Sequence, residues 1–96
     1  MSESFLKFAS MKLRPEDIDL AETTEQLGAR LSVRSLVGYL EGKTRVRDAL
    51  IELLQCSELE AENIVDTLIA QGYMRFAGDP LAVVDDGVWQ LRSQAE

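Results

Sequence analysis

The side chains that most often carry out acid–base or metal chemistry are scarce in this chain. It has no histidine, so the commonest general base is missing. Cys56 is the only cysteine, which excludes an internal disulfide and cannot by itself form a zinc site. Neither a phosphate-binding Gly-x-x-x-x-Gly-Lys-[Ser/Thr] motif nor a Gly-x-Ser-x-Gly nucleophile motif occurs. We therefore expect a protein that is not an enzyme and that holds no metal or cofactor.

One group of carboxylates is dense enough to suggest a cation site. Glu16, Asp17 and Asp19 lie close together, but the spacing and the glycine of a calcium-binding loop are missing. The three acids directly follow Pro15, and acids after a proline are typical of the first turn of a helix. We assign them to a helix start.

The totals indicate one small acidic domain. The chain has 96 residues and a formal net charge of −7, which opposes non-specific binding to DNA or to anionic lipid. No window approaches the roughly 18 uninterrupted apolar residues of a membrane span. The first residues lack the basic and apolar regions of a secretory signal. With a single cysteine, these features predict a cytoplasmic protein without a membrane partner.

Apolar periodicity predicts three helices. The first is expected to begin at a capping box formed by Thr23 and Gln26 and to stop at Gly42. Thr44 is expected to cap the second helix. The apolar stripe of the second helix comprises Val46, Ala49, Leu50, Leu53 and Leu54.

The third helix has the clearest start and stop signals. Ser57 and Glu60 form a second capping box, and Gly72 is placed where a left-handed residue ends a helix. Its apolar stripe comprises Ala61, Ile64, Val65, Leu68 and Ile69. We expect Leu50, Leu53, Ile64, Leu68 and Trp89 to be buried together.

After Gly72 the pattern changes to short apolar runs typical of strands, namely "YMRF", "LAVV" and "VWQL". Asp86 and Gly87 separate the last two runs, and this dipeptide favours a tight type I′ turn. The sequence therefore predicts a hairpin in which Val84 lies near Trp89.

This order of elements resembles the winged helix-turn-helix superfamily over about residues 24–92. The most specific piece is "LVGYLEGKTRVRDALIELLQCSELEAENIVDTLIAQGYM". The resemblance implies an α+β, mostly α fold: three core helices plus a C-terminal β-hairpin wing in residues 23–96. Residues 1–22 would form a short N-terminal helical extension used for packing or dimerisation. Similar domains occur in bacterial transcriptional regulators and in small protein- or peptide-binding modules, including chaperones similar to the PqqD type.

The charge on the third helix distinguishes between these functions. In regulators this helix enters the major groove of DNA, where lysine and arginine contact phosphates. Here Glu58, Glu62 and Asp66 recur every four residues along one face. That face is either simply solvated or a docking surface for a basic partner. We expect an interaction or regulatory module that binds a protein partner or itself, including adaptors linked to transcription.

The basic residues are concentrated in one stretch, Arg30, Arg34, Lys43, Arg45 and Arg47, which contains only Glu41 as an acid. This basic patch either pairs with the surplus acids of the chain or contacts an acidic protein surface. The alternative function is a DNA-binding regulator that uses the patch at 30–47 and the wing. The overall charge disfavours nucleic acid as a partner.

The N-terminal residues are more apolar than a short segment needs for itself. Phe5, Leu6, Phe8 and Leu13 are expected to pack on the domain or on a second copy, which would give a homodimer.

Overall fold

The computed structural model describes residues 13–32, 36–84 and 86–92. After a short 3₁₀ helix at Pro15–Asp17, the elements are α1 (Leu20–Arg30), α2 (Tyr39–Leu54), α3 (Glu58–Ala70), β1 (Met74–Ala77) and β2 (Val88–Leu91). The two strands form an antiparallel hairpin. The expected α+β, mostly helical class is confirmed, with three α-helices followed by a hairpin in the described ranges.

The core lies between the helices and the hairpin. Leu50, Ile64, Leu68 and Trp89 are all buried, as the apolar stripes predicted. Leu53, in the last turn of α2, is only partly buried, which corrects the expectation for that residue. Apolar burial of this kind is the main favourable contribution to folding.

The ends of α3 match the sequence because both signals are local. The Ser57 hydroxyl accepts the Glu60 backbone N–H at 3.1 Å, and the Glu60 carboxylate accepts the Ser57 backbone N–H at 2.8 Å. At the other end Gly72 has φ +88°, and the Tyr73 N–H donates to the Leu68 carbonyl at 2.8 Å. Both ends therefore satisfy backbone groups that a helix leaves unpaired.

The predicted boundary between the first two helices is wrong. Asp19, rather than Thr23, caps α1, because the Asp19 side chain accepts the Glu22 backbone N–H at 3.1 Å. Thr23 is buried inside α1, which ends at Arg30. Thr44 does not cap α2, which already begins at Tyr39.

Gly42 does not stop a helix, since it lies in the first turn of α2 and its N–H donates to the Gly38 carbonyl at 2.9 Å. A Cβ atom there would collide with the Trp89 side chain and come within 2.9 Å of the Leu36 carbonyl oxygen. The glycine therefore permits close packing between α2 and β2.

The hairpin uses different strands from those predicted. β2 pairs with β1, not with "LAVV", and Phe76 rather than Val84 lies opposite Trp89. Leu81 and Val83 are almost fully exposed, in a loop that we call the wing loop, described at residues 78–84 and 86–87. An isolated bridge also joins Val37 to Val88 at the other edge of β2.

An aromatic cluster accounts for this register. The rings of Tyr39, Phe76 and Trp89 lie 5.2–5.3 Å apart, within the range of favourable aromatic pairs. The Trp89 indole N–H donates to the Tyr39 carbonyl at 2.8 Å. Gly87 lies against the Phe76 ring, with no room for a Cβ atom. Its role is therefore to leave space for the aromatic cluster and not to form a two-residue turn.

Residues 13–19, which precede α1, are attached to the core. Leu13 and Ile18 pack against the buried cluster, as does Leu20 at the start of α1. None of the helices in the described ranges is long and apolar enough to cross a membrane.

Candidate functional site

The first half of α2 and the adjacent face of α3 enclose a groove of about 330 Å³. Val65 is buried at its floor, whereas the Leu40 side chain is 70% exposed at its rim. Such an exposed leucine beside a cavity is available for contact with another apolar group. The lining residues are Leu40, Lys43, Thr44, Arg47, Glu62, Val65 and Asp66.

Arg47 is the central charged residue of the groove. Its guanidinium contacts the carboxylates of Asp48 at 2.9 Å, Glu58 at 3.3 Å and Glu62 at 3.5 Å. The Arg47 side chain is only 24% exposed. The hydrogen bond to Asp48, together with the three negative charges, raises the pKa of Arg47 above its usual value. Arg47 thus joins α2 to α3 within the domain.

The other residues of the predicted basic patch are also largely engaged. Arg30 pairs with Glu52 at 3.6 Å, and Arg45 pairs with Glu41 at 3.9 Å. The Lys43 ammonium lies 5.3 Å from the centroid of the Tyr39 ring. Arg34 lies outside the described residues. Among the described residues of this stretch, Arg30 is the last residue of α1.

The predicted acidic row on α3 borders the same groove. Glu58 and Glu62 share Arg47, so the structure brings part of the basic patch and part of the acidic row together. Asp66 is exposed and pairs with no cation of the described ranges. Within the groove lining, the two cations Lys43 and Arg47 balance the two carboxylates of Glu62 and Asp66. Outside the lining, Asp48 and Glu58 add two more carboxylates beside Arg47.

A second concavity of about 240 Å³ lies on the other side of the exposed face of α3. The Glu60 carboxylate accepts the Leu13 N–H at 2.7 Å with one oxygen and the Ser57 N–H at 2.8 Å with the other. Leu59 is 64% exposed at this concavity. The sequence predicted the capping role of Glu60 but not its link to Leu13, 47 residues away.

Leu40 and Leu59 are contact candidates that the sequence analysis missed. Leu59 falls off the apolar stripe of the third helix, which was the available signal. Leu40 instead follows the apolar spacing of the first predicted helix, and its exposure results from the different start of α2 at Tyr39.

Cys56 does not have the environment of a reactive thiol. Its Sγ lies 3.7 Å from the Leu50 carbonyl oxygen in a partly buried position. Burial raises the pKa of the Cys56 thiol, and the nearby Glu60 carboxylate raises it further. Because the thiolate is the nucleophilic form, a raised pKa makes the Cys56 thiol less reactive at neutral pH than an unperturbed cysteine.

Three of the predicted dimerisation residues, Phe5, Leu6 and Phe8, lie outside the described residues, whereas Leu13 packs against the core. Within the described ranges, no group of three or more histidine, cysteine, aspartate or glutamate side chains is arranged to hold a metal ion. No family model matches this chain, and no curated protein or solved structure is significantly similar to it.

Proposed function

We propose that this chain is a non-enzymatic protein-interaction module with a winged-helix layout, which binds a basic protein segment along α3. Three helices followed by a hairpin, with Val37 adding a bridge beside β2, support this layout. Fold alone does not determine function. The proposal therefore rests on the charged and apolar side chains on and beside α3.

The environment of Arg47 is the observation that carries it. A helix that reads DNA needs cations directed at phosphates. On this surface Arg47 contacts three carboxylates, two of them on α3, and Asp66 adds a further exposed negative charge. A phosphate backbone pressed against α3 would meet carboxylates, whereas lysine or arginine side chains of a protein would find acceptors.

The groove also restricts the kind of partner. Leu40 and Val65 offer apolar contact, and Glu62 and Asp66 stand on the α3 side. The matching partner is a segment with apolar side chains for the groove and basic side chains for the rim. Charges at such a rim mainly set the association rate and its salt dependence.

Affinity capture from the native cytosol, with matched surface variants, tests the proposal. The wild-type chain, Asp66→Lys and Leu40→Ser are compared with Glu25→Lys, a reversal at an exposed position of α1. We expect the wild type and Glu25→Lys to retain a protein that is captured after nuclease treatment. Asp66→Lys and Leu40→Ser should lose it, and higher salt should weaken its capture.

Equal capture by all four chains would refute α3 as the docking surface. Capture that disappears after nuclease treatment would favour the DNA-binding alternative through the basic patch and the wing. A link to transcription is expected if the captured protein belongs to the transcription machinery.

A further inference from the structure

The described chain begins on the surface of α3. Leu13 packs against the core, and its N–H donates to the Glu60 carboxylate at 2.7 Å. Leu13, the first described residue, lines the concavity at which Leu59 is 64% exposed. Asn63 continues this exposed face by one helical turn, and Asp66 lies next to the groove rim.

The chemistry of residues 1–12 complements that face. The segment contains apolar side chains at Phe5, Leu6 and Phe8, and it carries Lys7 and Lys12 against a single acid. The exposed face of α3 offers the reverse arrangement, with apolar contacts at its two edges and carboxylates between them. The edges are formed by Leu59 and Leu40, and the carboxylates belong to Glu62 and Asp66.

We propose that residues 1–12 dock on their own domain, across the exposed face of α3 from the Leu59 concavity toward the Leu40 groove. Twelve extended residues reach up to about 40 Å, several times the roughly 10 Å diameter of a helix. Because the segment is covalently attached, its effective concentration at this face is on the order of millimolar. A contact too weak for separate molecules is therefore sufficient here.

Docking at this face gives the N-terminal segment a regulatory role that rests on the proposed function. The segment has the apolar and basic character expected of the partner, so the two compete for α3. A partner must displace residues 1–12, and removing the segment should increase the partner's affinity.

Paramagnetic relaxation in the isolated full-length chain tests the docking without any partner. A spin label is attached at Ser4→Cys in a Cys56→Ser background, so that the label has a single site. The backbone amide signals of Leu40, Leu59 and Asn63 should lose intensity relative to the signal of Glu25 on α1. Asp66→Lys should reduce this loss, whereas Glu25→Lys should leave it unchanged.

A charge exchange separates ion pairing from an indirect effect of Asp66→Lys. When Lys7→Glu and Lys12→Glu are added to Asp66→Lys, the amide signals on α3 should again lose intensity, because opposite charges then face each other. Failure to restore it would contradict charge-directed docking.

A mixed sample distinguishes the same chain from a second copy. It combines spin-labelled chains without isotope and isotope-labelled chains without spin label. We expect no loss of intensity in this mixture. A loss on α3 in the mixture would overturn docking within one chain and assign the face to a dimer. No loss at Leu40, Leu59 and Asn63 in either sample would overturn the inference while leaving the affinity-capture test of the proposed function unaffected.

Discussion

At the scale of single residues, the decisive feature is that charged side chains form ion pairs with one another within the domain. Arg47 contacts carboxylates from both α2 and α3, whereas Arg45 makes one long ion pair on the surface. The sequence placed both arginines on one contact patch because charge alone does not reveal which partner a side chain meets. Their distances to acids in the folded chain separate them.

Reversing Arg47 to glutamate should destabilise the domain, because a fourth carboxylate would then face Asp48, Glu58 and Glu62. Arg45→Glu is the matched control, and it should unfold close to the wild-type urea midpoint, since surface substitutions usually have small effects. Urea denaturation followed by circular dichroism measures both. Equal midpoints for the two variants would show that Arg47 does not link the helices.

The raised pKa of Cys56 predicts a displaced pH dependence of alkylation. Folding favours the protonated Cys56 thiol. The stability that this protonated thiol contributes is present at pH values below the pKa of Cys56 in the unfolded chain, and it is lost as the pH rises through the pKa of Cys56 in the folded chain. The iodoacetamide rate of the folded chain should therefore rise at a higher pH than that of the unfolded chain, whose thiol titrates near about 8.5. Coinciding profiles would contradict the effect of burial.

At the scale of elements, the local signals at the ends of α3 could be predicted from the sequence, whereas the caps assigned to Thr23 and Thr44 were wrong and the long-range contacts were not predicted. Ser57, Glu60 and Gly72 act within a few residues of α3, and the structure confirms all three assignments. Gly42 and Gly87 were assigned to a helix stop and a turn because glycine commonly serves there. Their actual roles depend on aromatic rings from distant segments, which no short-range pattern reports.

Gly42→Ala therefore tests the packing between α2 and β2. Helix propensity alone predicts a gain of about 1 kcal/mol, but overpacking against Trp89 and Leu36 should instead cost about 1–3 kcal/mol. Gly28→Ala is the matched control in α1, where a Cβ atom meets nothing within 4 Å, and it should stabilise. Thermal melts that show the same sign for both variants would contradict the packing.

Substitutions in the core and in the wing loop should differ in how strongly they lower the free energy of unfolding. Leu68 is fully buried, so Leu68→Ala should lower the free energy of unfolding by roughly 2–5 kcal/mol. Val84 is exposed in the wing loop, so Val84→Ser should change the free energy of unfolding little. If Val84 were instead buried in a strand, serine at this position would destabilise the fold. Chemical denaturation of both variants measures the difference, and a large loss for Val84→Ser would favour the originally predicted hairpin.

At the scale of the whole molecule, the sequence predicted the class of fold and the acidic row of the third helix as a candidate docking surface, but not the groove beside that row. Three helices followed by a hairpin were predicted from periodicity and turn residues, and the structure has that order. The groove arises because α2 begins at Tyr39 and extends Leu40 and Lys43 alongside α3. That start depends on Gly38, whose N–H donates to the Gly87 carbonyl at 2.8 Å across the fold.

The central claim, that acidic side chains make α3 a protein-binding helix and not a DNA reader, is tested most directly by titrating labelled duplex DNA with the wild-type chain. Fluorescence anisotropy at about 0.15 M salt should show binding weaker than the usual non-specific range of roughly 10⁻⁴–10⁻⁶ M. Reversing Glu62 and Asp66 to lysine in the same assay should strengthen binding, because the α3 face would then offer cations to phosphates. Micromolar binding by the wild-type chain, with affinity falling steeply as salt rises, would contradict the account.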